Sequence, residues 1–271
     1  MPSIETRTLT LGTMLQSHSY FVPKFQRDFS WDSEQIQQLW KDVNRTIDER
    51  TNTYFMGSIV LKLDQQRSRF EVIDGQQRLT TISLLLCALR DCARDNDHEA
   101  AADQLQRDFI ARSEFDSDLP QAKLTLNQTN RHFYEENLIL SADREFLLEA
   151  RKDVGVRVTN RLIAKAFSYF RSEVDRLLER RTIAIGTYIR EVINALNNVL
   201  QVIEIVVEND YDAYVLFETL NDRGLELSVA DLLKNYLFRT AEDRVDDAQE
   251  NWTLMASNLV GIETKRFLRH Y

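Results

Sequence analysis

Two β-patterned runs, followed at a single glycine by a long apolar-periodic segment, constrain the fold of this chain most strongly. Residues 54–63 (YFMGSIVLKL) are rich in β-branched and aromatic residues, and after a polar turn the run 70–73 resumes the strand pattern. From Leu79 to Ala93 apolar residues recur at helical spacing, which predicts a helix with one wide buried face. We therefore expect a β-hairpin that leads into a buried helix through the stretch FEVIDGQQRLTT.

Helical patterns dominate the rest of the chain. Residues 4–15 predict a short strand or a strand–helix junction, and a helix follows Asp32 or Ser33, the natural N-cap. From about 100 to 198 the pattern is mostly helical, whereas 200–207 (LQVIEIVV) predicts a buried strand. Seven glycines and three prolines are few for 271 residues, which favours helices and argues against an all-β fold.

Composition and residue spacing exclude several classes of protein. A formal charge of −9 argues against a surface built to neutralise phosphates along a DNA duplex, so any anion site must be local. No apolar run approaches the roughly 18 residues of a membrane span, and the N-terminus lacks a signal-peptide layout, so we expect a cytoplasmic protein. Cys87 and Cys92 lack zinc spacing, and we expect reduced, partly buried thiols. The scattered histidines argue against a protein-built zinc site.

The pentapeptide DGQQR, residues 74–78, occupies the predicted strand-to-helix junction. A helix start carries unpaired N–H groups and the positive end of the helix dipole, and Gly75 lets a ligand approach the backbone, so the junction can bind phosphate. The alternative is a structural role, because Asp74 as N-cap and Gln77 three residues later match a capping box. Spacing alone favours that capped helix start. It leaves Arg78 unexplained, since the dipole disfavours a cation in the first helical turn unless an anion is near.

Two further polar clusters lie elsewhere in the sequence. In VPKFQRDFSW, Gln26 and Arg27 either face water from a loop or reach the same pocket as Arg78, where a second guanidinium would serve a polyphosphate. In NDRGLELSVADLLKN the alternatives are a helix cap with a surface ion pair, or a polar site. The residues of that site are Asn221, Arg223, Asp231 and Lys234.

The order of these motifs resembles a known family. VPKFQRDFSW, YFMGSIVL, VIDGQQRLTTISLLLCAL and FETLNDRGLELSVADLLKNYLF follow one another as in the N-terminal domain of GmrSD-type Type IV restriction enzymes, from about Leu11 to Tyr271. The resemblance implies an α+β, predominantly helical fold with a small mixed sheet and a core similar to the ParB and sulfiredoxin fold. We expect one domain over 1–271, with an α/β part at 1–97, a helical region at 98–198 and a strand-plus-helix part at 199–271.

The resemblance also implies that the chain binds or hydrolyses a nucleoside triphosphate with Mg²⁺ and so regulates a nuclease acting on modified phage DNA. Asp74, Gln77 and Arg78 are then the catalytic candidates, with Asp74 orienting a water or helping to hold Mg²⁺, and no other metal ligand is assigned. The phosphate-binding candidates are Gln26, Arg27, Ser58, Gly75, Gln76, Arg78, Asn221, Arg223, Asp231 and Lys234. The sequence has no Walker A motif, which excludes a P-loop ATPase.

The same resemblance implies partners outside this chain. Cutting in the family is assigned to a C-terminal or partner module with an HNH-type pattern, which this sequence lacks, so we expect one module of a larger protein that can oligomerise. No membrane partner is expected. Two alternatives remain open: a DNA- or partner-binding module of the same fold without enzymatic activity, and a nuclease that nicks DNA itself. The sequence lacks the His/Asn/Asp cluster that a nuclease of this kind needs.

Overall fold

The computed structural model describes residues 4–24, 26–64, 69–112, 120–140, 144–208, 237, 241 and 244–258. The chain forms two compact units. The first comprises residues 1–23 and 27–208, and the second comprises residues 24–26 and 209–271. The DGQQR junction therefore belongs to the first unit.

A mixed β-sheet is the framework of the first unit. The strands of this unit are β1 (Ile4–Thr10), β2 (Tyr20–Phe21), β3 (Tyr54–Asp64), β4 (Arg69–Asp74), β5 (Ala111–Arg112), β6 (Gln121–Ala122), β7 (Leu124–Thr125) and β8 (Leu200–Val207). Six of them form one sheet in the order β1–β8–β3–β4–β2–β7, while β5 and β6 form a separate pair. The β1–β8 and β3–β4 pairs are antiparallel, and β3–β8, β2–β4 and β2–β7 are parallel. Strand β4 thus lies inside the sheet, and its end is the DGQQR junction.

Helices supply most of the first unit. They are α1 (Leu11–Ser17), α2 (Ser33–Asp48), α3 (Gln76–Asp95), α4 (Glu99–Leu105), α5 (Gln128–Tyr134), α6 (Arg144–Ala150), α7 (Val158–Arg181) and α8 (Ile185–Asn198). Two π-helical segments, Gln106–Ile110 and Glu135–Leu140, continue α4 and α5. Helix α2 begins as its sequence predicts, because Asp32 and Gln35 form a capping box at its first turn.

Helix α3 is buried along nearly its whole length. Every residue from Leu79 to Ala93 is buried, because α3 packs against α4, α7 and α8. The prediction of one wide buried face was therefore too narrow. Two of the polar residues within this span bond to the helix itself: the Thr80 and Thr81 hydroxyls each donate to a carbonyl of the preceding turn at 2.8 Å.

Arg90 is a large charged side chain within this core, and it is only 1% exposed. Its Nε donates to Asp91 Oδ1 at 2.7 Å and its Nη1 donates to Gln106 Oε1 at 2.6 Å. The same guanidinium donates to the carbonyls of Leu138 and Ile139, at 2.7 and 3.2 Å. Arg90 therefore ties α3 to both π-helical segments, and it satisfies carbonyl groups in the second of them.

Cys87 and Cys92 lie on α3, and both are free and fully buried. Burial raises the pKa of each thiol to about 12. The expectation of unpaired thiols is confirmed, and their burial is more complete than the sequence indicated.

The predictions of strand, helix and fold class are confirmed where the structure describes the chain. Strands β3 and β4 form the expected antiparallel hairpin, and β8 coincides with the predicted buried strand. The α+β, predominantly helical fold with a mixed sheet is also confirmed. The helix cap predicted as one alternative for NDRGLELSVADLLKN lies outside the described residues.

The second unit is described through one helix, α9 (Val245–Asn258). Among the helices of both units that the structure describes, none is long and apolar enough to cross a membrane.

Candidate functional site

The junction between β4 and α3 depends on Gly75. This residue has φ +93° and is the N-cap of α3, without a side-chain cap. A Cβ atom there would lie 2.4 Å from Ile59 Cδ1, so glycine is required both by the left-handed backbone and by the neighbouring strand. The predicted capping box of Asp74 and Gln77 is wrong: with Gly75 as N-cap, the third helical residue is Arg78 rather than a glutamine. Within the described part of the chain, the first turn of α3 keeps its N–H groups without a side-chain cap.

Gln76 and Gln77 are buried, and their side chains hold the segment Arg27–Ser30. Gln76 Nε2 donates to the carbonyl of Arg27 at 3.1 Å. Gln77 Nε2 donates to the carbonyl of Asp28 at 3.1 Å, while its Oε1 accepts from the N–H of Ser30 at 2.8 Å. Both side-chain amides therefore bond to the backbone of a loop that lies far from α3 in the sequence.

Two asparagines at the start of helix α5, which the sequence analysis did not identify, form hydrogen bonds to the same segment. Asn130 Oδ1 accepts from the N–H of Phe29 at 3.0 Å, and Asn127 Nδ2 donates to Asp28 Oδ1 at 2.8 Å. Asn127 is also the N-cap of α5, because its side chain accepts from the N–H of Asn130. The N-cap pattern before an apolar run is the only local signal that marks either residue.

The Arg78 guanidinium lies face-on against Gly57 of strand β3. A Cβ atom on Gly57 would lie 2.8 Å from Nη2, 2.9 Å from Cζ and 3.0 Å from Nη1, and these nearly equal distances show that the plane of the group faces the glycine. Nη1 donates to the carbonyl of Ser58 at 2.9 Å. Gly57 has φ +108° at the point where the β3–β8 register shifts, so a bulge brings the strand backbone around the arginine.

Arg78 lacks a close carboxylate partner among the described residues. Burial lowers the pKa of its guanidinium. The negative charge of Asp74 raises that pKa, but the two side chains do not form an ion pair. Arginine side chains that are removed from water are normally paired with a carboxylate or a phosphate. Among the described residues, Arg78 is therefore a largely buried cation without an anionic partner.

Asp74 ends strand β4 beside this cation. Burial raises the pKa of its carboxyl group, while the N–H of Gly75 and the charges of Arg78 and Arg27 lower it. Arg27 itself is exposed to solvent, yet it is near enough to influence Asp74 electrostatically. We call Arg27, Ser58 and the five residues of DGQQR the DGQQR corner.

The structure brings together most of the predicted site residues in the first half of the chain. Arg27, Ser58 and residues 74–78 all lie in this corner, where the carbonyl of Ser58 accepts from Arg78. Gln26 is buried and belongs to the second unit. The remaining predicted site residues, Asn221, Arg223, Asp231 and Lys234, lie outside the described residues.

The DGQQR corner could hold a magnesium ion only together with phosphate groups that supply most of its ligands. Within the described residues no group of three His, Cys, Asp or Glu side chains is arranged to hold a metal. Asp74 supplies one carboxylate, and two guanidinium groups act on it. Mg²⁺ often uses one or two protein carboxylates and takes its other ligands from phosphates and water, and Asp74 suits that role.

Replacing Asp74 by asparagine is expected to leave the protein at least as stable as the wild type at pH 7. Because the folded-state pKa of Asp74 is raised, the folded protein binds more protons than the unfolded chain, and its stability falls as pH rises through that pKa. Urea denaturation should show the advantage of Asp74→Asn at neutral pH shrinking as the pH is lowered toward 4. A variant less stable than wild type at pH 7, with a gap that does not change with pH, would contradict the burial argument.

Comparison with models of known protein families identifies a match over most of the chain. The family model described as the GmrSD restriction endonuclease N-terminal domain matches residues 11–238. No curated protein matches the chain. The matched range includes every residue of the DGQQR corner.

Proposed function

The chain belongs to the family of the GmrSD restriction endonuclease N-terminal domain, and on this premise we propose that its DGQQR corner binds the phosphates of a nucleoside triphosphate. The family implies a role in restriction and defence. Binding or hydrolysis of the nucleotide would control a nuclease module elsewhere in the full-length protein, and that module would act on modified DNA.

The observation that carries the proposal is the state of Arg78. Its guanidinium is largely removed from water, its pKa is lowered by that burial, and no carboxylate among the described residues forms an ion pair with it. Only Nη1 has a hydrogen-bond acceptor in the described protein, the carbonyl of Ser58. The other donors remain for a ligand, and a phosphate oxygen is the acceptor that both the charge and the fork geometry favour.

The surrounding groups suit an extended phosphate chain rather than a single charge. The first turn of α3 presents backbone N–H groups at the positive end of the helix dipole, and Arg27 adds a second cation from the facing loop. Phosphoryl transfer depends mainly on positioning and on neutralising the charge of the phosphate oxygens. A bound Mg²⁺ would add to that neutralisation, with Asp74 as its protein carboxylate or as the group that orients a water.

The test is a calorimetric titration of the protein with ATP, GTP, CTP and UTP, each with and without Mg²⁺. Replacing Arg78 by glutamine should weaken binding of the preferred nucleotide at least about tenfold, since charge-assisted hydrogen bonds contribute roughly 1.5–3 kcal/mol and 1.4 kcal/mol is a factor of ten. Release of phosphate, measured in the same samples, separates hydrolysis from binding alone.

The matched control is Arg190→Gln, which removes the same charge from an exposed position on α8. Its affinity should equal that of the wild type. The proposal fails if the wild type binds none of the four nucleotides at millimolar concentration, or if Arg78→Gln and Arg190→Gln behave alike.

A further inference from the structure

The segment Arg27–Ser30 has no regular secondary structure, yet side chains fix its backbone along its whole length. The carbonyls of Arg27 and Asp28 accept from Gln76 and Gln77 at 3.1 Å each. The N–H groups of Phe29 and Ser30 donate to Asn130 and Gln77, at 3.0 and 2.8 Å. A loop of this kind is held in one conformation by its neighbours rather than by its own propensity.

Among these side chains, Asn130 bonds both to the loop and to a second helix. It is 1% exposed, and its Oδ1 is engaged by Phe29. Its Nδ2 donates to Thr159 Oγ1 at 2.9 Å and to Asn160 Oδ1 at 2.7 Å, both in the first turn of α7. One buried amide therefore connects the loop, helix α5 and helix α7, and both of its Nδ2 hydrogens are used.

Arg27 is the functional residue that depends on this attachment. Its side chain is exposed, so packing does not fix it, but its charge acts on the half-buried Asp74. Its distance from Asp74 and Arg78 is consequently set by where the backbone of Arg27–Ser30 lies. The glutamines of the DGQQR corner hold one side of that backbone, and Asn130 holds the other.

We propose that Asn130 is a positioning residue of the nucleotide site, which acts through Arg27 by fixing the loop that carries it. The effect on binding rests on the proposed function, because the ligand is the nucleoside triphosphate. The structural half of the inference, that Asn130 fixes the loop, does not depend on it. Asn130 touches neither the phosphates nor the metal, and its removal weakens binding only to the extent that Arg27 contributes.

Hydrogen exchange resolved to single amides tests the structural half without any nucleotide. In Asn130→Ala, the Phe29 amide should exchange at least about tenfold faster than in the wild type, while amides within α3 keep their rates. Asn130→Asp retains an acceptor for Phe29 and should retain its protection. Asn137→Ala is the matched control, because that half-buried asparagine donates to the carbonyl of Phe133, one turn earlier in the same continuous helix, and to no other described residue. Unchanged exchange at Phe29 in Asn130→Ala overturns the proposal.

A double-mutant cycle tests the functional half. Asn130→Ala should weaken nucleotide binding several-fold in the wild-type background and leave it unchanged in an Arg27→Ala background, because the two residues act as one unit. Equal losses in both backgrounds overturn the positioning role even if Arg78→Gln confirms the nucleotide site. If the wild type binds no nucleotide, the proposed function fails and the exchange measurement alone decides whether Asn130 fixes the loop. Should Asn130→Ala not fold, Asp28→Ala, which frees the same loop from Asn127, is expected to give the same pattern at smaller amplitude.

Discussion

Replacing Arg90 by methionine is expected to lower the free energy of unfolding by about 3–5 kcal/mol, the range seen when one partner of a buried charged pair is removed. Methionine fills much of the same space, so the loss comes from the polar groups that remain. Asp91 Oδ1, Gln106 Oε1 and the carbonyls of Leu138 and Ile139 would each lose a donor inside the protein. Urea denaturation measures the change, provided that the slope of the transition is preserved.

The matched control for Arg90→Met is Arg94→Met, one turn further along α3 at an exposed position. That change should stay within about 0.5 kcal/mol of the wild type. Because burial already raises the pKa of Asp91 while Arg90 lowers it, the second change Asp91→Asn should recover part of the loss in the Arg90 variant. A cost below about 1 kcal/mol for Arg90→Met would show that water replaces the guanidinium and that its hydrogen bonds are dispensable.

Gly57→Ala is expected to have the largest effect on ligand binding of any change outside the DGQQR motif. The added Cβ would lie 2.8–3.0 Å from three atoms of the Arg78 guanidinium, so the arginine must move away from the Ser58 carbonyl. The positive φ of Gly57 adds backbone strain of about 1–3 kcal/mol to the folded protein. Nucleotide affinity should fall at least about tenfold, which corresponds to 1.4 kcal/mol, in the titration used for Arg78→Gln.

The control for Gly57→Ala is Gly155→Ala. Gly155 lies in an exposed turn, has no positive φ, and its added Cβ would meet only the carboxylate of Asp153 at 3.2 Å. Affinity and stability should both remain at wild-type values. If Gly57→Ala binds nucleotide as the wild type does, the contact between Gly57 and Arg78 does not set the geometry of the site.

Much of the fold follows from hydrophobic periodicity. Strands β3, β4 and β8 and helix α3 are long enough for their apolar residues to repeat several times, and each was predicted at its observed position. Strands β2 and β7 have two residues each, which is too short to show a hydrophobic period. Strand β2 forms by pairing with β4, and β7 forms by pairing with β2. The π-helical segments were also not predicted, since the Arg90 side chain that bonds to them comes from a different helix.

The candidate site was predicted in its location but not in its detail. The motif order led to Arg27, Asp74 and Arg78, which the structure places in one corner. Spacing favoured Asp74 as the N-cap, whereas the cap is Gly75, because the close approach of Ile59 and a left-handed backbone are tertiary features. Asn130 was not predicted, since the Phe29 amide that it holds is 101 residues away in the chain.

The two cysteines of α3 allow the opening of this helix to be measured by thiol labelling. A thiol reagent attacks the thiolate, and both thiols are buried and have a pKa of about 12, so they react only when the helix opens. The rate of thiol labelling therefore measures the free energy of that opening, without any label having to be introduced. Since α3 begins at the DGQQR corner, a ligand bound there should slow the labelling of Cys87 and Cys92 together.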